Sequence, residues 1–588
     1  MTAARFARLL LLLSPALGLV AAVIWFVAKP IGGNSPSGDG GEPAADKGGK
    51  LVVFIVFDQM RGDYLERWKQ HYGSDGFEKL KRDGVWFSNA HVPYAASSTA
   101  PGHSSLSTGA PPSVHGIIEN KWFERSRGKV VTSCTTDEAY ERVPPGGNAV
   151  RDKWPALAPT RLLAPTVGDA LLEQRKGESR VFSLSLKDRT AVLMGGKEPN
   201  GVYCYDASIG EFHTSSYYRK SLPAWVDAFD RARVVYRWGG KTWDRFKQVS
   251  IYDALGPDDM PGEGGRSFMG QRVFPHRLPE ANDRSVNYFD ALEYSAYGND
   301  LLWEFVKAAI EGENVGRNGT TDLLCVSFST NDMIGHAFGP DSHEVLDITL
   351  RSDKLMADVL VYLDQRVGRD RYSLVMTADH GVCPLPEVAV KTHPEARRLS
   401  MSDFIGGLDE HLDKVFGKKD DVPGQWVERD APVRDCYPWI YLNRRTIEAL
   451  DKTYPQVEEA AAAWLRERPT PLTVFTRTQL LNGTFPTAEK DFGAMAQLSF
   501  HPDRSGDLYI IAPAYNLVLG AISHGTDHGT PHEYDRHIPI LAYGADVPRL
   551  GERKDAVSSL SIAPYLAQLL GISPPAKAYD KSPAALAR

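Results

Sequence analysis

Cysteine is scarce in this chain: Cys134, Cys204, Cys325, Cys383 and Cys436 are all that 588 residues contain. No two of them form a C-x-x-C pair, which argues against a cysteine-ligated zinc module or a thioredoxin-type redox motif. In an oxidising compartment one or two disulfides would still leave an odd thiol. Positive charge is not in surplus either. Lys and Arg total 67 against 74 Asp and Glu, for a net charge of -7. The basic stripe of a nucleic-acid binder is therefore missing, and no nucleic-acid partner is expected. Internal repeats are absent. After the first apolar run no second one of comparable length appears in the body of the chain.

That first run is a targeting element. Arg5 and Arg8 precede an apolar stretch from Leu9 to Ala28, broken only by Ser14, Pro15 and glycine. A cleaved signal has an apolar stretch of about 7–15 residues before a small-residue cleavage site. This one is nearer the roughly 20 residues that span a bilayer. No A-x-A site follows it; Lys29 and Pro30 do. A retained membrane anchor within residues 1–30 is favoured over a cleaved signal peptide, and both imply export to a periplasmic or cell-surface location. Residues 31–50, rich in Gly, Ser, Pro, Asp and Lys, read as a flexible linker.

Folded sequence begins at Leu51. Leu51–Phe57, Leu323–Phe328 and Ser373–Met376 are short, continuous apolar runs that end at Asp58, at Ser329-Thr-Asn-Asp332 and at Thr377-Ala-Asp379-His380. Such runs suit strands buried on both faces of a parallel sheet. A helix from about Glu344 to Val367 separates the last two, giving a βαβ pattern. The predicted fold is α/β, with a mostly parallel central sheet between helices. Ligands in such sheets gather at the carboxyl ends of strands, where Asp58, Asp332, Asp379 and His380 fall. The aromatic, Gly- and Pro-rich stretch 217–287 and the stretch 401–492 read as insertions forming a cap. Residues Asp507–Ile511 and Ile538–Ala542 return to apolar strands, and Ser559–Leu570 reads as a final amphipathic helix.

The acids and histidines at these strand ends carry the chemistry. Asp332 and His336, four apart, share a face if a helix starts there. The segment His524-Gly-Thr-Asp-His528-Gly-Thr-Pro-His532 adds further imidazoles. Mixed Asp/His donors suit divalent metal ions such as catalytic zinc, and two such ions about 4 Å apart can clamp an in-line displacement at phosphorus. Thr99, in Ser97-Ser-Thr99-Ala-Pro-Gly-His103, precedes a helix predicted over Ser104–Gly109. A hydroxyl there meets the exposed N–H groups and positive end of the helix. An ordinary helix cap is the plain alternative.

The strings Phe57-Asp58-Gln-Met-Arg, Thr99-Ala-Pro-Gly-His103, His115-Gly-Ile-Ile-Glu-Asn120, Lys187-Asp-Arg189, Asp332-Met-Ile-Gly-His336, Thr377-Ala-Asp379-His380-Gly and His528-Gly-Thr-Pro-His-Glu-Tyr-Asp occur in that order. Together they resemble the alkaline phosphatase superfamily, in its branch of threonine-nucleophile phosphatases related to type I phosphodiesterases and nucleotide pyrophosphatases. The resemblance runs from about residue 51 to 575. It implies that Asp58, Asp379, His380 and Thr99 surround one Zn2+, and that Asp332, His336 and His528 hold a second. His528 is chosen over His524 because the family's last ligand precedes a Tyr-Asp pair, here Tyr534-Asp535. The implied reaction is hydrolysis of small phosphate monoesters through a phosphothreonine at Thr99.

Monoesterase and diesterase share most of these motifs. A monoester carries a second charge on the transferred group and benefits from extra cations. If Lys187 and Arg189 lie in an extended strand, both side chains aim one way and Asp188 the other. Asn120, and the backbone N–H of Ala100, would add donors to the same oxygens. The rivals are a phosphodiesterase on the same fold and, in another class, a catalytically inactive surface binding protein. A sulfatase is disfavoured, because the C/S-x-P-x-R nucleophile motif is absent.

Overall fold

The computed structural model describes residues 49–131, 133–145, 156–264, 272–282, 288–418, 425–428, 436–519 and 524–586. The expected N-terminal anchor and most of the linker lie outside them. Among the described residues no helix is long and apolar enough to cross a membrane.

The central sheet contains β1 (Lys50–Phe57), β2 (Val85–His91), β3 (Val181–Ser185), β4 (Gly201–Asp206), β5 (Glu211–Ser215), β6 (Thr321–Phe328), β7 (Tyr372–Thr377) and β8 (His537–Gly544). Their spatial order is β2-β8-β7-β1-β6-β3-β4-β5, with short strands at both edges. The run β7-β1-β6-β3-β4 is parallel, whereas β8 is antiparallel to both its neighbours and β5 to β4. Leu51 to Phe57 are all buried. Successive side chains on a strand point to opposite faces, so both faces of β1 are covered.

Two groups of helices provide the cover. One holds α1 (Thr99–Thr108), α2 (Asp188–Gly195) and, late in the chain, Ile562–Leu570, which packs on β1 and β6. The other holds α3 (Tyr297–Glu313), α4 (Thr330–Phe338) and α5 (His343–Leu363). Two helices differ from the sequence expectation. Helix α1 begins at Thr99, five residues before the predicted start, because Ser98 takes the extended conformation of an N-cap and Pro101 fits the first turn. Ile562–Leu570 is buried nearly all round rather than amphipathic. All five cysteines are buried, and none forms a disulfide.

Part of 217–287 packs against the α3 and α5 side. Trp243 Nε1 and Tyr252 OH donate to the buried Asp347 carboxylate of α5, at 2.7 and 2.6 Å. Its Gly262–Gly264 stretch reaches α4 and the loop that carries His528: Gly264 N–H donates to Ala337 O, and Gly525 N–H to Gly262 O, each at 2.7 Å. The later insertion builds its own core from Met401–Phe416, Tyr454–Arg466 and a three-stranded sheet. Leu508–Ile511 is the middle strand of that small sheet, not a member of the central one. A second apolar cluster joins this insertion, through Trp439, Tyr441, Phe475 and Tyr509, to Ala95, Ala100, Ile117 and Ile118 beside the Thr99 segment.

Candidate active site

At the carboxyl ends of β1, β6 and β7 the chain brings Asp58, Asp332, Asp379 and His380 into one buried pit, each at most 3% exposed. Strand β1 delivers Asp58 at its end, and α4 starts right after β6, which places Asp332 and His336 one turn apart. The loop before β8 supplies His528. Two groups of ligand-type atoms come close together: Asp332, His336 and His528 form one, and Asp58, Asp332 and His380 the other. Asp332 thus lies between both groups rather than in one alone. Asp379 sits beside the second, with Oδ2 3.2 Å from His380 Nε2 and 3.0 Å from His103 Nδ1. His524 is exposed on the neighbouring loop.

The ring orientations are set by the backbone. His336 Nδ1 lies 2.8 Å from Thr526 O, His380 Nδ1 2.8 Å from Gly381 O and His528 Nδ1 3.0 Å from Ser97 O. A carbonyl only accepts, so each Nδ1 carries a proton and each Nε2 points into the pit. Burial opposes charge on His336, but Asp332 outweighs burial and raises it to about 9, so a cation bound there would displace its Nε2 proton. There His336 Nε2 is 3.2 Å and His528 Nε2 3.6 Å from Asp332 Oδ1, and His380 Nε2 is 3.6 Å from Asp58 Oδ1. Asp58 Oδ1 is buried and accepts no hydrogen bond. Burial, then the carboxylates of Asp332 and Asp379, push Asp58 up to about 6. Burial pulls His380 down to about 4. Crowded carboxylates, imidazole nitrogens turned inward and an orphaned oxygen form a donor set that fits divalent cations, with the Asp/His composition favoured by catalytic sites.

Thr99 is 1% exposed, and its Oγ1 lies 3.4 Å from His380 Nε2. It occupies the first turn of α1. Glycine at 102 lets that turn press on β7, since a Cβ there would sit 2.7 Å from Asp379 Cβ. Lys187 and Arg189 depart from the predicted geometry. They are not in a strand: β3 ends at Ser185, Lys187 is the extended N-cap of α2, and Arg189 lies in its first turn. The polar Lys187-Asp188 pair starts a helix because an N-cap needs only one extended residue. Lys187 Nζ donates to Asp58 Oδ2 at 2.7 Å and also to Asp332 Oδ2, linking the two groups. Burial opposes its charge, but those carboxylates outweigh burial and raise its pKa above the usual lysine value. Asp188 turns away to Ser133 and Thr135, while the Arg189 side chain is 30% exposed.

A second correction concerns the donors. Ala100 N–H gives its hydrogen bond to Asn120 Oδ1 at 3.0 Å, so it does not point at a substrate oxygen, and the Asn120 amide is oriented instead. Several residues here carried no assigned role in the sequence reading. His103 contacts Thr99 O at 2.9 Å and Ser327 Oγ at 2.9 Å. Glu119 accepts from Ser98 Oγ and from Asn120 N–H. Gln59 binds both Asp379 and Asp332. Each stands inside one of the quoted motif strings, which was the available signal; partners such as Ser327, Asp332 and Asp379 are far off in sequence.

The model of the type I phosphodiesterase / nucleotide pyrophosphatase family matches residues 52–535. The chain belongs to that family. Among similar members, alkaline phosphatase PhoV of Synechococcus elongatus is 32% identical over 90% of this chain and 92% of its own length. Alkaline phosphatase PafA of Elizabethkingia meningoseptica is 31% identical over 90% and 93%. A crystal structure of wild-type alkaline phosphatase PafA superposes with a TM-score of 0.81 at 30% identity, covering 91% of this chain and 98% of that one. The α/β architecture of this family member is therefore the alkaline phosphatase fold.

Proposed function

We propose that this chain is an exported, two-zinc alkaline phosphatase that hydrolyses small phosphate monoesters with Thr99 as nucleophile. The observation that carries the reading is the pit itself. Thr99 Oγ1, three histidines with Nε2 turned inward and three buried carboxylates meet there, with Lys187 beside them. The similar proteins named alkaline phosphatases point to the same reaction class.

Asp58, Asp379 and His380, with Thr99, would hold one Zn2+, and Asp332, His336 and His528 the other. Bound there, the ions would lower the pKa of the Thr99 hydroxyl and neutralise charge on the departing oxygen. The chain's own groups do the rest. Thr99, fixed at the start of α1, attacks phosphorus; its Oγ–P bond forms as the ester P–O bond breaks and the alcohol leaves. Water then cleaves the phosphothreonine to inorganic phosphate. Asn120, with its Oδ1 occupied by Ala100 N–H, directs Nδ2 at a nonbridging oxygen. Lys187 and Arg189 supply the cations that a doubly charged phosphoryl group needs.

A phosphodiesterase reading is favoured by the family's own description. The test is kcat/KM for a matched aryl monoester and diester, wild type against Lys187→Ala/Arg189→Ala. Losing one charge-assisted contact costs about 2–4 kcal/mol of transition-state stabilisation, roughly a hundredfold or more. The double variant should lose at least that on the monoester and little on the diester. Equal losses on both would return the assignment to diesters. Thr99→Ala should abolish turnover of either substrate while metal content survives.

A further inference from the structure

Gln59 breaks a local rule. Met60 N–H donates to Phe57 O at 3.2 Å, closing a turn in which Gln59 is the third residue, at φ 69°. That left-handed region is crowded for any residue with a Cβ, and turns usually give it to glycine or asparagine. Glycine would deliver the backbone N–H equally well to its partner, Asp379 Oδ1, 3.1 Å away. The side chain is the difference. Gln59 is 4% exposed, and its Nε2 donates to Asp332 Oδ1 at 2.6 Å.

Helix α4 breaks a complementary rule. Gly335 sits in its interior, where glycine is a poor helix former. A Cβ at Gly335 would fall inside the van der Waals contact distance of Gln59 Oε1. The missing side chain in α4 makes the space that the Gln59 amide fills. Two unfavourable local choices thus serve one contact, and such departures gather at functional sites.

We infer that Gln59 is the positioning residue that couples the two metal groups. Its backbone N–H orients the Asp379 carboxylate, its side-chain amide orients the Asp332 carboxylate, and the turn after β1 that carries Asp58 holds all three in register. The inference rests on the two-ion reading above. Hydrogen bonds from outside a metal site orient its ligands and typically change metal affinity by about 10- to 100-fold.

The experiment is zinc binding, by equilibrium dialysis of the full chain against buffered free Zn2+ with metal counted per chain. Gln59→Gly keeps the turn and the bond to Asp379 but loses the tether to Asp332. Wild type should bind two ions, and Gln59→Gly should bind one at unchanged affinity and the other at least tenfold more weakly. Gly335→Ala, with Gln59 intact, should weaken the same ion by displacing the amide. Adding Gly335→Ala to Gln59→Gly should cost nothing further, because the space is already vacant. Two ions bound by Gln59→Gly with wild-type affinities would overturn the inference alone. A wild-type count other than two would overturn the two-ion reading and the inference with it. Additive losses in the double variant would also overturn it, since Gly335 would then act independently of Gln59.

Discussion

His115 shows how a single residue links burial to pH. Its Nδ1 accepts from Ile117 N–H at 3.1 Å and its Nε2 faces Ser105 Oγ at 3.0 Å, so the ring is held neutral at the foot of the loop that leads to Asn120. Burial, reinforced by Arg504, pulls it down to about 3. In the unfolded chain a histidine protonates near pH 6.5. The folded-state value is depressed, so its contribution to stability is present above about pH 6.5 and is lost as the pH falls toward 3, at no more than about 1.4 kcal/mol per pH unit. Chemical denaturation at stepped pH should show a shallower acid loss for His115→Gln than for wild type; identical slopes would exclude this ring as the cause. The histidines of the last loop allow a second single-residue comparison. His528 touches the pit and His524 lies outside it, so His528→Ala should remove most phosphatase activity and His524→Ala little. The reverse ranking in kcat/KM would exchange their roles.

At the scale of elements, the first turn of α1 owes its place to contacts on three sides. Gly102 lies flush against Asp379, Ser499 Oγ accepts from Ala95 N–H and Ala96 N–H at 3.0 Å each, and His103 binds the Thr99 carbonyl. Thr99 is therefore positioned by packing from the end of β7 and from the far insertion as well as by its own helix. Gly102→Ala puts a methyl where only 2.7 Å separates it from Asp379 Cβ. Overpacking of this kind typically costs about 1–3 kcal/mol. We expect a lower thermal midpoint together with at least a tenfold loss in kcat, because α1 must move away from Asp379 to make room. A variant of wild-type midpoint and rate would show that the helix yields without disturbing Thr99.

Across the whole molecule, Asp347 ties the first insertion to the sheet layer. It is fully buried and receives Trp243 Nε1, Tyr252 OH, Phe246 N–H and Arg351 Nε between 2.6 and 2.7 Å. Removing a buried acceptor strands every donor at once, and breaking such a buried charged network costs about 3–5 kcal/mol. Asp347→Ala should lower the unfolding free energy measured in urea by that amount and open the ribbon of paired strands Thr242–Trp243 and His276–Arg277 to limited proteolysis. A wild-type digestion pattern would mean that the ribbon is held by its aromatic packing alone. The pit of acids and histidines lies at the strand ends, so the loss in kcat/KM at low temperature should be small by comparison.

Chemistry at strand ends was legible from the sequence because it depends on local order: an apolar run stops, an acid follows, and the acid falls at the mouth of a parallel sheet. Asp58, Asp332 and Asp379 were found this way, and the i, i+4 spacing placed His336 beside Asp332. The element type at Lys187 was not legible, because a polar stretch after a strand reads equally as a strand end or a helix cap, and only the packing of α2 on β3 decides between them. The bond from Ala100 N–H to Asn120 and the inward turn of the His336 and His528 rings depend on amides and carbonyls distant along the chain. Local sequence determined which residues carry charge, metal-binding nitrogen and a hydroxyl. Tertiary structure alone decided how they face one another, because a side chain's direction in a buried site is set by neighbours that only the fold brings together.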